Sequence, residues 1–162
     1  MNQEILKAKA AIVDEVVASA KKSQSIIVVE YRGMNVAQIT ELRRALRKID
    51  ATLGIYKNSL FERAVGTLGV TGLGATVEGP NAFVFSKDAI AGPKAVVSFA
   101  RRHELLVIKG GIVEGQVVSA AQIKTVAGLP GRQGLISMFL SCLQGPIRQF
   151  AATVQAVADK QN

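Results

Sequence analysis

Hydrophobic positions along the chain switch between two periods. From Asn2 to Lys22, Ile5, Ala8, Ile12, Val16 and Ala20 recur at three and four residues. That spacing predicts an amphipathic helix, with Lys7, Lys9, Lys21 and Lys22 on its polar flank. Ser25 to Gly33 breaks the rhythm: Ile26 to Val29 are four β-branched residues in a row, with no alternation. A run of that kind suits a central strand covered on both faces. Within three residues its character changes, to the ring of Tyr31, the planar cation of Arg32 and, at Gly33, freedom to take positive φ. A buried strand ending this way reads as placing a binding loop, although an ordinary strand-to-helix turn with a snorkelling Arg fits the same letters.

The following segments alternate helix and strand. Asn35 and Gln38 have capping-box spacing and predict a helix to about Lys48 that buries Val36, Ile39, Leu42 and Leu46. Ala51 to Lys57 reads as a strand. Ser59 and Glu62 again have capping-box spacing and predict a helix to about Leu68. A glycine-dense connection from Gly66 to Pro80 leads to a strand over Asn81–Lys87, with Phe83 and Phe85 on one face and Val84 on the other. Gly92 and Pro93 open a helix to about Arg102. Leu105 to Val113 is a strand interrupted by Gly110-Gly111, a bulge or a bend, and Ser119-Ala120-Ala121-Gln122 caps a short helix to about Ala127. The expected fold is α/β: an N-terminal α/β domain over residues 1–130, with a small mixed sheet flanked by helices, followed by a C-terminal helical tail over residues 131–162.

Past the Gly128-Leu129-Pro130-Gly131 linker, charges become rare. Leu135, Met138, Phe139, Cys142 and Leu143 form one apolar helical stripe, and Ile147, Phe150, Ala151, Val154 and Val157 form a second. Gly145-Pro146 lies between them, where a proline predicts a kink or break. Such stripes must cover their own domain, a partner or a membrane.

Composition narrows the function. Twenty Lys and Arg against twelve Asp and Glu give a formal charge of +8, which favours polyanionic partners, nucleic acid first. One Cys and one His leave neither a disulfide framework nor a zinc cluster, so no metal or cofactor is expected. The N-terminus does not read as a secretory signal, no tract has uninterrupted transmembrane length, and a reducing cytoplasm is the expected location. Gly72-Leu73-Gly74 lacks the rest of a dinucleotide fingerprint, and no P-loop occurs. His103 sits in a polar helix end, Cys142 on an apolar stripe, and no carboxylates pair, so nothing reads as an active site. What remains is basic and local. Tyr31, Arg32 and Gly33 follow one strand, and Lys57, Asn58 and Ser59 follow the next, where open sheets gather ligands. Lys57 at a helix start suits a phosphate and Tyr31 suits base stacking. Arg43, Arg44 and Arg47, like charges on one helix face, add cations, as does Lys7.

Several of these segments together resemble a known family. Val28-Val29-Glu30-Tyr31-Arg32-Gly33, the Asn35–Arg47 helix with Leu42-Arg43-Arg44-Ala45-Leu46-Arg47, Lys57-Asn58-Ser59-Leu60, Gly79-Pro80-Asn81-Ala82, Ile108-Lys109-Gly110-Gly111 and Leu129-Pro130 stand in the order of bacterial large-subunit ribosomal protein ten, the base of the ribosomal stalk. The resemblance covers essentially the whole chain. It implies a non-enzymatic N-terminal domain docked on 23S ribosomal RNA beside ribosomal protein eleven. It also implies a tail helix carrying dimers of the acidic stalk protein (seven/twelve), which recruit translation factors. The family's RNA-facing positions fall on Tyr31, Arg32, Gly33, Lys57, Asn58 and Ser59. Two dimers are implied, one on Leu135 to Leu143 and one on Ile147 to Val157. The alternative is a stand-alone basic RNA-binding regulator, such as a translational repressor, whose tail packs on its own domain.

Overall fold

The unbroken apolar run at Ser25–Glu30 (β1) is buried from Ser25 to Val29 because helices cover both of its faces. Ile27 and Val29 enter one hydrophobic cluster, Ile26 and Val28 the other. The computed structural model describes residues 3–69 and 77–161. Before β1 lies α1 (Gln3–Lys22), and after it come α2 (Val36–Arg47), β2 (Ala51–Gly54) and α3 (Asn58–Thr67). The chain continues through β3 (Asn81–Ser86), α4 (Ala91–Ala100), β4 (Val107–Val113), β5 (Gln116–Ser119), α5 (Ala120–Gly128) and α6 (Arg132–Gln161). Contacts divide it into two units, Met1–Gly128 and Leu129–Asn162.

In the first unit the five strands lie in the order β2-β3-β1-β4-β5. The first cluster takes Leu42 and Leu46 from α2, Val96 and Phe99 from α4 and Ile123 from α5. The second takes Val16 and Ala20 from α1 and Phe61, Ala64 and Val65 from α3, with Phe61 stacked on Phe83 at 3.7 Å between ring centroids. Phe83 and Phe85 share that face and Val84 takes the other, as alternation dictates. The α/β class with flanking helices holds, but every pairing is antiparallel rather than mixed. The physical reason is insertion: β1 and β2 run the same way, and β3 enters between them in the opposite direction.

Several local expectations shift. On α1 the buried stripe is Val16 and Ala20 with Val13 and Val17 beside them, whereas Ile12 and Ala8 face outward and the Ile5 side chain lies outside the described residues. Val36 is 75 % exposed, since the first helical position after the cap points away from the sheet. The strand at Ala51 ends at Gly54, leaving Ile55 exposed. The helix cap is Lys57, not Ser59, so the Ser59/Glu62 box is not formed. By contrast, Gln38 Oε1 accepts from the Asn35 amide at 3.0 Å, and Gln122 Oε1 from the Ser119 amide at 2.8 Å. The fingerprint-like Gly72–Thr76 lies outside the described residues. In the second unit α6 runs unbroken through Gly145-Pro146, where the proline forgoes one backbone hydrogen bond without ending the helix.

Candidate functional site

The strand register gathers the predicted loops. Glu30 at the end of β1 pairs with Asn81 at the start of β3 and with Val107 at the start of β4, while Gly54 at the end of β2 pairs with Phe83. The segments after β1 and β2 and those before β3 and β4 therefore open on one edge of the sheet. Tyr31 is half-buried against the first cluster, so its ring is partly core, whereas Arg32 is exposed. Gly33 takes φ +83°, and the Met34 amide donates to the Tyr31 carbonyl at 3.1 Å to close the turn. Lys57, exposed and extended at φ −66°, ψ 131°, starts α3, and its carbonyl accepts the Leu60 and Phe61 amides. Ser59 is exposed in the first turn, and Asn58 Nδ2 donates to the Gly79 carbonyl at 2.9 Å. That bond ties the Lys57 loop to the turn beside the end of β1.

A second set of polar contacts holds the same turn. Lys109 Nζ lies 2.7 Å from Glu30 Oε2 and donates to the Glu78 carbonyl, which also accepts from Asn81 Nδ2 at 3.2 Å. Asn81 is 3 % exposed and its Oδ1 has no partner among the described residues. Sequence reasoning gave no role to Glu30, Asn81 or Lys109; only the pairing register brings them together.

The remaining predicted cations sit elsewhere. Arg43, Arg44 and Arg47 are exposed on α2, which runs from the end of β1 back to the start of β2 at the opposite edge. Arg43 and Arg47 line a hollow of about 300 Å³ with Ala51, Thr52 and Leu53. Lys7 is exposed on α1; two residues on, Lys9 shares a hollow of about 240 Å³ with Asp14 and Arg63. His103 stacks on Phe99 at 4.2 Å, with Nε2 3.8 Å from Glu41 Oε2. Among the described residues no cluster of three His, Cys, Asp or Glu could hold a metal ion, and no helix is long and apolar enough to cross a membrane.

In α6, Met138, Phe139, Cys142, Leu143, Ile147, Phe150, Val154 and Val157 are exposed, with Leu135 half-buried. Because the helix does not break, a longer pattern emerges. Ile136, Leu140, Leu143, Ile147, Phe150, Val154 and Val157 alternate four- and three-residue steps, and each is more than half exposed. Ser137, Ser141, Gln144, Arg148, Gln155 and Asp159 line one flank of this seam. Arg148 Nη2 donates to Gln144 Oε1 at 2.9 Å, bridging the turn that holds Pro146. Sequence reasoning missed Ile136 and Leu140, although their spacing was available once a single helix was assumed.

Comparison with known proteins adds independent findings. Residues 4–101 match the family Ribosomal protein L10, and residues 129–162 match the Ribosomal protein uL10 C-terminal region. The large ribosomal subunit protein uL10 of Bacillus licheniformis is 43 % identical over 157 residues, covering 96 % of this chain and 95 % of the relative. That of Shouchella clausii is 43 % identical over 158 residues, with 97 % and 95 % covered. In Macrococcus caseolyticus the figure is 43 % over 162 residues, with 99 % and 94 % covered. The chain therefore belongs to the bacterial ribosomal protein L10 family, proteins of the large ribosomal subunit.

Proposed function

We propose that this large-subunit protein is a non-enzymatic scaffold at the base of the ribosomal stalk, acting in the cytoplasm. Its N-terminal domain, residues 1–130, binds 23S ribosomal RNA beside ribosomal protein eleven. The tail, residues 131–162, carries dimers of the acidic stalk protein, which bring in translation factors. The observation that carries the RNA half is the convergence of two basic loops on one sheet edge. Arg32 follows the end of β1, whose Glu30 pairs with Asn81, and Lys57 is tied to the turn before Asn81 through Asn58 and Gly79. Arg32 and Lys57 contact phosphate, Gly33 and Ser59 leave the backbone accessible, and the exposed part of Tyr31 meets sugar or base. Arg43, Arg44, Arg47 and Lys7 form an outlying basic surface that supports long-range attraction. Supporting the tail half is its apolar stripe, with one dimer on Leu135 to Leu143 and a second on Ile147 to Val157.

The test measures affinity for a 23S RNA transcript across a salt series. Arg32→Ala and Lys57→Ala each weaken binding and lower the salt slope by about one unit, while Lys94→Ala on α4 changes neither. Equal effects for all three would place the RNA elsewhere. Removing everything after Gln133 preserves RNA binding and abolishes capture of the stalk protein, and native mass spectrometry of the full complex counts two dimers. Loss of RNA binding or of the fold on truncation refutes the division of labour.

A further inference from the structure

We propose that Lys109 is a positioning residue: a cation that contacts no RNA but staples the two basic loops into one register. Pairing between β1 and β4 shifts at a single place. Val28 faces Gly110 while Val29 faces Ile108, so Lys109 is the extra residue of a β-bulge. The packing records the same insertion. Ile108 and Ile112 have equal parity and would share a face of a regular strand, yet Ile108 enters the first cluster and Ile112 the second. The bulge thus keeps both faces apolar and re-aims one lysine at the loop edge.

There the ammonium group is committed within the protein. It pairs with Glu30 Oε2 at 2.7 Å and donates to the Glu78 carbonyl, and both charged side chains are only about one-fifth exposed, 22 % and 21 %. Gly79, at φ +84°, folds over the pair; a Cβ there would lie 3.5 Å from Lys109 Nζ and 4.0 Å from Glu30 Oε1. The same turn accepts Asn81 Nδ2 at the Glu78 carbonyl and Asn58 Nδ2 at the Gly79 carbonyl. One lysine therefore links the residue before Tyr31-Arg32-Gly33 to the turn that holds the residue after Lys57. It also neutralises a carboxylate that would otherwise repel phosphate from this edge.

This role rests on the edge being the RNA-binding surface, and the experiment separates the two. In the full chain, amide hydrogen exchange is followed over residues 77–82, and affinity for a 23S RNA transcript is measured across a salt series. Lys109→Met speeds exchange in that turn and weakens RNA binding by about tenfold with the salt slope unchanged. Lys109→Arg, which keeps a donor and the pair, changes neither, and where the methionine variant does not fold Glu30→Gln, which removes the pair but keeps the lysine, must likewise speed exchange in the turn and weaken binding with the salt slope unchanged. A salt slope reduced by about one unit in Lys109→Met would make Lys109 a direct phosphate contact and overturn the proposal. Unchanged exchange would overturn it as well. If exchange rises while Arg32→Ala and Lys57→Ala leave affinity intact, the RNA reading of this edge fails, and with it the positioning role.

Discussion

Replacing Gly33 by alanine isolates what the turn after β1 demands of its backbone. A Cβ at this position would meet only Leu105 Cδ2, at 3.6 Å, an ordinary van der Waals distance, so crowding contributes nothing. The conformation does: at φ +83° an L-residue costs about 1–2 kcal/mol. Against this stands the reduced entropy of the unfolded chain, which offsets about 0.4–1 kcal/mol. The net is a destabilisation of about 1 kcal/mol for Gly33→Ala. It is smaller for Gly33→Asn, whose side chain tolerates left-handed backbone, and larger for the β-branched Gly33→Val. Gly66 provides the opposite sign. It lies in α3 without positive φ, and a Cβ there would find nothing within 4 Å, so Gly66→Ala stabilises by about 0.5 kcal/mol. Urea unfolding of both variants, at unchanged m-value, reads the difference directly. Shifts of the same sign, or equal stability of Gly33→Ala and Gly33→Asn, would refute the backbone requirement and remove the reason for a glycine beside Arg32.

Two further outcomes follow from the second cluster. Phe61 is fully buried and stacked on Phe83, so Phe61→Ala lowers stability by about 3–5 kcal/mol by urea unfolding, whereas Val36→Asp at a 75 % exposed position stays within about 0.5 kcal/mol. A loss below about 1 kcal/mol for Phe61→Ala would mean that α3 does not dock through this stack. The Tyr56 hydroxyl is held above its ordinary pKa, chiefly by burial and then by the neighbouring Glu15 carboxylate. The folded state therefore keeps this proton more tightly than the unfolded chain. The resulting stability is complete below about pH 10 and is lost as pH rises through the folded-state value. Tyr56→Phe has no such titration, so its stability relative to wild type must climb above pH 10; parallel profiles would exclude the effect.

Much of the fold was legible because its signals were local. The Ile26–Val29 run reported two covered faces, and the side chains divide between the two clusters accordingly. Gln38 and Gln122 form the backbone contacts their spacing implies, while the same spacing at Ser59 and Glu62 misled. There the chain offers adjacent candidates, and Asn58 is claimed by the Gly79 carbonyl 21 residues away. β5 was not legible: Gln116–Ser119 is short, half polar and at the edge of the sheet. Its hairpin turn places Glu114 at φ 51° and Gly115 at φ 80°, a pair of left-handed residues usually announced by Asn-Gly or Asp-Gly.

The candidate site shows where local signals stop. The expectation that Tyr31–Gly33 and Lys57–Ser59 share an edge came from picturing consecutive strands with helical crossovers. They do share it, but through an antiparallel strand inserted between them, and residue order alone does not reveal that insertion. Lys109 was hidden more deeply, because one bulged residue inverts the parity of everything beyond it. In the tail the reverse happened. Gly145-Pro146 suggested a boundary and split the apolar residues into two stripes, yet the helix is continuous. From Ile136 to Val157 is three heptads, over which a strict seven-residue repeat drifts by only about 60° on a straight helix. That drift lies within the width of an ordinary apolar helix face, so Ile136 to Val157 form a single seam that continues the second stripe through Leu143, while Leu135, Met138 and Cys142 lie outside it. A partner on Leu143 and one on Ile147 would therefore be axial neighbours, about one helical turn apart on that seam.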